Sequence, residues 1–342
     1  MSAPAPLVTT DDYARAAREV LPLRVFDFVA GGAGDEWTLA ENRRAFERWV
    51  LRPRVLRDAS QPETSIDLFG VRTSFPALVA PWAYQRMVHP HGDLGTARGA
   101  ARAGTIACIS SSALELLDDL ADVDGPRWWQ LYVSPDRAFT ADMLSRVAAH
   151  GFGAIVWTVD LPAYGLRRRD DRNGFEIPEA LVPKGYGYDG SITWEDLAWI
   201  REHAQGLPVL LKGILTREDA RLAVEAGADG IVVSNHGGRQ LDASSAALDA
   251  LPEVIEVVAG SIPVLVDGGV RSGTDVIKAL ALGASAVMVG RPAAWGLAVA
   301  GEDGVADVLR ILHEEVANAM ALCGCRTVAE IGLGLVARAP GA

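Results

Sequence analysis

Cysteine is scarce in this sequence: only Cys108, Cys323 and Cys325 occur. Three thiols cannot build the disulfide framework of a small secreted domain. Cys323 and Cys325 are one residue apart, with no accompanying His/Cys set at zinc-ligand spacing, so no metal site is expected. Charge of one sign is nowhere concentrated. Lys and Arg number 32 against 44 Asp and Glu, a net charge of −12, yet no long block of like charge stands out. Acidity spread this way argues against nucleic acid and anionic membrane as partners. No apolar stretch reaches 18 residues, and the opening MSAPAPLVTTDDYARAA lacks the basic start and apolar core of a signal peptide. The expectation is a soluble, cytoplasmic protein. No early G-x-G-x-x-G turn follows a first strand, which weighs against an open doubly wound sheet.

What is present is a rhythm. Apolar residues make up 49% of the 342-residue chain, enough for one large core or two ordinary domains. Eight short β-rich runs recur: ALVAP (77–81), TIACIS (105–110), WWQLYV (128–133), AIVWTVD (154–160), PVLLKG (208–213), GIVVSNH (230–236), PVLVDGG (263–269) and AVMVGRP (286–292). Helical patterns separate most of them, at 92–104, 136–151, 194–206, 216–227, 246–260 and 273–283, and several close on Gly. The strands are apolar throughout, as parallel strands covered on both faces are. The fold expected is α/β, a (β/α)8 TIM barrel in one domain. Residues 1–76 read as an N-terminal helical cap ending in an extended segment, 77–300 as the barrel, and 301–342 as a final helix (302–323) and tail. The polar, Gly- and Pro-rich stretch 167–193 is too long for an ordinary connection and reads as a lid or active-site loop.

Barrel chemistry collects at the C-terminal ends of the strands. Here those ends carry Gln130 and Tyr132, Thr158 and Asp160, Lys212, then Ser234, Asn235 and His236, then Asp267 with two glycines, and Gly290 with Arg291. Singly, each has an ordinary reading: a strand-end Asp caps a helix, and a Lys is solvated. Six polar strand ends at one mouth make that reading improbable jointly. DGGVRSGTD, followed by GR after the eighth strand, places glycines and cations before helix N-termini, which suits a phosphate; the alternative is that the glycines only form tight turns. Arg239 and the run Arg167-Arg168-Arg169 suit a carboxylate, bound bidentately. A His supported by a carboxylate suits proton abstraction. Together these groups suggest flavin oxidation of an acid.

LKGILTREDARLAVEAGADGIVVSNHGGRQLD, VLVDGGVRSGTDVIKALALGASAVMVGRP, GGAGDEWTLAENRRAF, the QLY of the third strand and the TVD of the fourth resemble the FMN-dependent L-2-hydroxy acid oxidases and dehydrogenases, from about residue 10 to 330. The resemblance implies FMN as cofactor and a homotetramer. It makes His236 the base, Asp160 its supporting carboxylate, and Arg239 and Arg167 the carboxylate ligands. Tyr132 would meet the substrate and Lys212 would offset charge on the reduced flavin. Ala83, Ser110, Gln130, Thr158 and Ser234 would contact the flavin. Asp267, Gly269, Arg271, Gly290 and Arg291 would hold its phosphate.

Three departures stand out. Phe28 occupies the place of the family's usual substrate-binding Tyr, Leu166 interrupts the usual Gly-Arg-Arg so that a slip from Arg167 to Arg168 stays open, and Trp82 replaces a small residue. AYQR and RPAAWGLAVAG resemble the hydroxymandelate oxidases more than the glycolate oxidases, and an aromatic wall suits an aryl group. The expected reaction is oxidation of a mandelate-like L-2-hydroxy acid to the 2-oxo acid, with O2 the acceptor that gives H2O2. Alternatives are a dehydrogenase with another acceptor, an enzyme tailored to a biosynthetic substrate, another FMN barrel such as type 2 isopentenyl diphosphate isomerase, and a flavin-binding protein without activity.

Overall fold

The structure, a computed structural model, describes residues 6–341. Three helices come first: α1 (Thr10–Val20), α2 (Leu23–Ala30) and α3 (Trp37–Glu47). Thr9 caps α1 in a reciprocal capping box with Asp12. The short strands β1 (Trp49–Leu51), β2 (Ile66–Leu68) and β3 (Val71–Thr73) follow. The eight expected runs then form β4 (Ala77–Val79), β5 (Ala107–Ser110), β6 (Arg127–Leu131), β7 (Ile155–Thr158), β8 (Val209–Ile214), β9 (Gly230–Val233), β10 (Val264–Asp267) and β11 (Ala286–Val289). They pair in parallel in chain order, and β11 returns to β4 to close the barrel. Helices α4 (Gly92–Arg102), α5 (Leu117–Ala121), α6 (Arg137–Ala149), α7 (Arg168–Asn173), α8 (Asp196–His203), α9 (Arg217–Glu225), α10 (Ala247–Val258) and α11 (Gly273–Ala281) fall within the connections.

Strand residues alternate between two cores, which is why whole strands are apolar. The adjacent Trp128 and Trp129 show it: Trp128 packs inside the barrel with Cys108, Leu210 and Met288, and Trp129 packs outside against Phe152. All three cysteines are buried and free.

Three elements differ from expectation. The segment read as extended contains the antiparallel hairpin β2–β3, which turns on Phe69 and Gly70, both at positive φ. Its Leu68 belongs to the interior core and Phe69 packs edge-to-face on Trp128 at 5.7 Å, so the hairpin closes the barrel floor. The final helix begins earlier, at Arg291: α12 (Arg291–Cys323) runs on after β11 and kinks at Ala300 and Gly301. The tail forms β12 (Val336–Arg338), which pairs with β1 and ties the chain's end to the cap. No helix of the described residues is long and apolar enough to cross a membrane, and none of their His, Cys, Asp and Glu side chains form a metal-binding group.

Candidate active site

A cavity of about 380 Å³ opens at the C-terminal ends of the strands, between the barrel, α2 and the 167–193 segment. Its size falls in the range of small-molecule sites. His236 sits on its wall directly after β9, with a left-handed backbone (φ 58°) unusual for a residue with a side chain. Its Nδ1 meets Asp160 Oδ1 at 3.0 Å, which leaves Nε2 for the cavity. Burial pulls the imidazole below its ordinary value, and Asp160 opposes this without overcoming it. The ring is therefore neutral near pH 7 and able to accept a proton. Burial pushes Asp160 up, but His236 and Lys212 together hold it below the usual carboxylate range.

Lys212 projects from β8 into a buried position, 2.9 Å from Asp267 Oδ2, and donates to Ser234 Oγ at 2.8 Å. Burial alone would lower its pKa, yet Asp267 and Asp160 raise it, so it stays an ammonium. Ser234 Oγ also accepts the His236 amide at 3.0 Å. Ser234 is fully buried and does not line the cavity. The expected flavin-contacting residue thus lies behind the wall, because its oxygen is engaged with the lysine and the histidine backbone.

Arg239 and Arg167 both line the cavity, and both guanidiniums stand over the Phe28 ring, 5.1 and 5.9 Å from its centroid. Phe28 cannot offer a phenol, but it offers a π face that two cations share. Phe175, at the end of the α7 segment, stacks on the same ring at 4.5 Å. Arg239 donates to the carbonyls of Phe28 (2.7 Å) and Gly31 (2.9 Å). Burial and Arg167 push it down to about 9, still a cation at neutral pH. Arg167 donates to the Tyr164 hydroxyl at 3.2 Å, while its buried Nε has no partner among the described residues. Two adjacent buried cations with an unused donor call for an anion. Arg168 instead pairs with Asp35, is half exposed and does not line the cavity.

Ala83, Ser110, Gln130 and Thr158 also line the cavity. Gln130 Oε1 accepts from Ser110 Oγ at 3.2 Å, and its Nε2 is buried without a partner. Beyond them, Gly268 and Gly269 turn at φ 86° and 88°, and a Cβ on Gly269 would fall 2.1 Å from the Asn42 carbonyl of α3. Only glycine lets this turn lie so close to the cap. The amides of Gly269 and Val270 have no acceptor among the described residues. Arg271 lines the cavity with its guanidinium 4.9 Å over the Trp295 ring. Gly290 caps α12. Arg291 reaches the cavity too, but its guanidinium donates to Val29, Gly31 and Gly237 carbonyls, clamping α2 and the His236 loop to the barrel.

A sequence profile described as FMN-dependent dehydrogenase matches residues 17–338. The chain belongs to this family. It is 48% identical to 4-hydroxymandelate oxidase of Amycolatopsis orientalis, over 94% of this chain and 96% of that one. It is 43% identical to glycolate oxidase of Spinacia oleracea, over 97% and 96%. A solved structure of mandelate oxidase with (S)-2-phenylpropionate superposes with a TM-score of 0.90, at 51% identity over 95% and 96% of the two chains.

The cavity of this family member fits an FMN cofactor. The orphaned Gln130 amide and the buried Lys212 suit the polar edge of a flavin ring. The free amides of Gly269 and Val270, beside Arg271 and the start of α12, suit a phosphate. Sequence reasoning missed most of the aromatic wall. Five of the six tyrosines line the cavity: Tyr84, Tyr132, Tyr164, Tyr186 and Tyr188. Trp82 lines it as well, its indole N–H buried and unpartnered. The clustering of YGYDG in the lid segment was the available signal.

Proposed function

We propose that this FMN-dependent enzyme oxidises an aryl (S)-2-hydroxy acid to the aryl 2-oxo acid, with O2 reduced to H2O2. The observation that carries the substrate class is the join between the arginine pair and the aromatic wall. Arg167 and Arg239 receive a carboxylate, and Tyr84, Tyr132, Tyr186 and Trp82 line the space for a ring beside it. The names 4-hydroxymandelate oxidase and mandelate oxidase support the aryl class, while the glycolate oxidases share only the 2-hydroxy acid and the oxidase name.

The chain's own residues have distinct tasks. The guanidiniums hold the carboxylate, which fixes the carbinol carbon near His236. Tyr132 stays a hydroxyl donor because burial, with Tyr186 and Asp160 nearby, pushes its phenol well above the ordinary value. His236 Nε2 takes the hydroxyl proton, and Asp160 stabilises the imidazolium that results. Bound FMN supplies the two-electron acceptor. Lys212 places a buried positive charge at the wall where Gln130 and Thr158 lie. The substrate gives up two electrons and two protons in becoming the oxo acid, and O2 takes up the same number in becoming H2O2.

Anaerobic visible spectra test this. (S)-Mandelate is expected to bleach the flavin bands much faster than glycolate does, and air to restore them with formation of H2O2. Faster bleaching by glycolate would overturn the aryl assignment, and no recovery in air would overturn O2 as acceptor.

A further inference from the structure

The Asp160–His236 pair is built from two different loops, one after β7 and one after β9, and Arg167 and Arg239 come from the same two loops in the same order. Anything that fixes the two loops against each other therefore sets both the base and the carboxylate site. The connection is concentrated in one side chain. Gln240, half-buried and adjacent to Arg239, donates from Nε2 to the Asp160 carbonyl at 2.9 Å and to the Ala163 carbonyl at 3.0 Å. Its Oε1 accepts the Gly165 amide at 3.4 Å. The orientation of the amide is unambiguous, since two carbonyls face one end and an N–H faces the other. One amide thus spans the start of the β7 loop, from the backbone of Asp160 to the residue two before Arg167.

The packing says that little space is left between the loops. A Cβ on Gly165 would lie 2.3 Å from the Arg239 carbonyl and 2.8 Å from the Gln240 carbonyl. On the other side, a Cβ on Gly213 would lie 2.6 Å from Asp160 Cβ. Asp160 is pressed from behind by β8 and pinned from the front by Gln240.

We propose that Gln240 is a positioning residue of the reaction: its amide holds the β7 loop on the β9 loop and so keeps Asp160 at His236 Nδ1 and Arg167 beside Arg239. It touches neither substrate nor flavin, since it does not line the cavity. The proposal rests on the oxidase reading for its kinetic consequences, but not for its structural one. The groups that act on His236 are Asp160 from the β7 loop, Lys212 from β8 and Arg167 from the lid segment. Loosening the β7 loop weakens the only one of these that favours the protonated ring.

The test uses the FMN-loaded enzyme and two variants. Gln240→Ala removes the amide; Gln240→Met keeps the volume and removes only the hydrogen bonds. Both are expected to bind FMN at wild-type stoichiometry, to lose roughly tenfold to hundredfold in kcat/KM, and to raise KM through Arg167. Titration of the His236 ring by imidazole NMR, without substrate, is expected to show its pKa lowered in both. If Gln240→Met behaves as wild type while Gln240→Ala is impaired, Gln240 only fills space and the proposal fails. If the His236 titration is unmoved in both variants, it fails as well, whatever the kinetics. If the wild type oxidises no 2-hydroxy acid, the functional reading fails, and the ring titration still decides the positioning role.

Discussion

Replacing Asp160 by Asn removes a charge 3.0 Å from His236 Nδ1 while keeping the side chain's size. Two unit charges about 4 Å apart, at an effective dielectric of about 20, attract by roughly 4 kcal/mol. That attraction acts only on the protonated ring, so it develops as His236 acquires the substrate's proton. Each ~1.4 kcal/mol is a factor of ten in rate, so a fully expressed loss slows the step about a thousandfold. Part of the charge has yet to form in the transition state, and the expected fall in kcat is roughly 10²- to 10³-fold. The neutral amide also leaves Lys212 and Arg167, both of which disfavour the imidazolium, with less opposition. The sign of the pH effect follows. Burial already holds His236 low and Asp160 opposes it, so removing Asp160 lowers the pKa further. A base is inactive when protonated, so the acidic limb of kcat/KM moves to lower pH even as the plateau falls. Asp160 does not line the cavity, so FMN content should be unchanged. Anaerobic stopped-flow reduction across pH measures both quantities. A variant that keeps more than about a tenth of the wild-type rate, with its acidic limb unmoved, would refute the claim that Asp160 stabilises the imidazolium.

Two other perturbations follow from the same geometry. Phe28→Leu takes away the ring beneath both guanidiniums, worth about 0.5–2 kcal/mol per cation, and is expected to raise KM for the 2-hydroxy acid by roughly tenfold with FMN retained; an unchanged KM would show that the carbonyls of Phe28 and Gly31 position Arg239 unaided. Asp93 is buried in the first turn of α4, and burial pushes its carboxyl from 3.8 up to about 7. A raised folded pKa means that stability is complete below the unfolded value and is lost as pH rises towards the folded one, a loss of roughly 4 kcal/mol at most. Asp93→Asn stays neutral, so it should melt above wild type at about pH 8 and level with it at about pH 4; equal melting at both would refute the reading.

The barrel was legible because its strands announce themselves. Each is a short apolar run bounded by turn residues, and burial on both faces removes the alternation that would suggest an antiparallel sheet. The hairpin in the barrel floor was not, because its turn rests on Phe69 at positive φ rather than on the Asn-Gly or Asp-Gly pair that advertises such a turn. The first third of α12 was missed because Gly301 and the small residues before it mask the helical period, and the structure does kink there. The wall's tyrosines other than Tyr132 were missed, those of the 167–193 segment for a deeper reason. Where Tyr186 and Tyr188 point depends on how the lid segment is tethered. Beside those tyrosines the tether is Asp189, whose amide donates to the Val133 carbonyl and whose carboxylate pairs with Arg137, partners more than fifty residues away in the chain.

SNHGGRQLD shows where the border between legible and hidden lies. His236 and Arg239 could be placed at the cavity from their chemistry, since residue types suited to a base and to a carboxylate are recognisable. Their neighbours serve the scaffold, and nothing in their chemistry says so. Asn235 exchanges hydrogen bonds with Asn42 of α3 at 2.9 and 2.8 Å. Asp242 accepts the amides of Asp35 and Thr38, and Ser234 and Gln240 brace the base from behind and from the side. Leu241, 74% exposed, is the one residue that nothing in the structure explains. A left-handed histidine does not hold itself in place: its backbone conformation costs of the order of 1 kcal/mol or more, so its neighbours must over-determine it. The density of the motif follows from that requirement. Three residues, His236, Gly237 and Arg239, line the cavity, and at least four of the others join this loop to the cap, to β8 or to the Asp160 loop. A substitution among those four should therefore displace the base without touching the substrate.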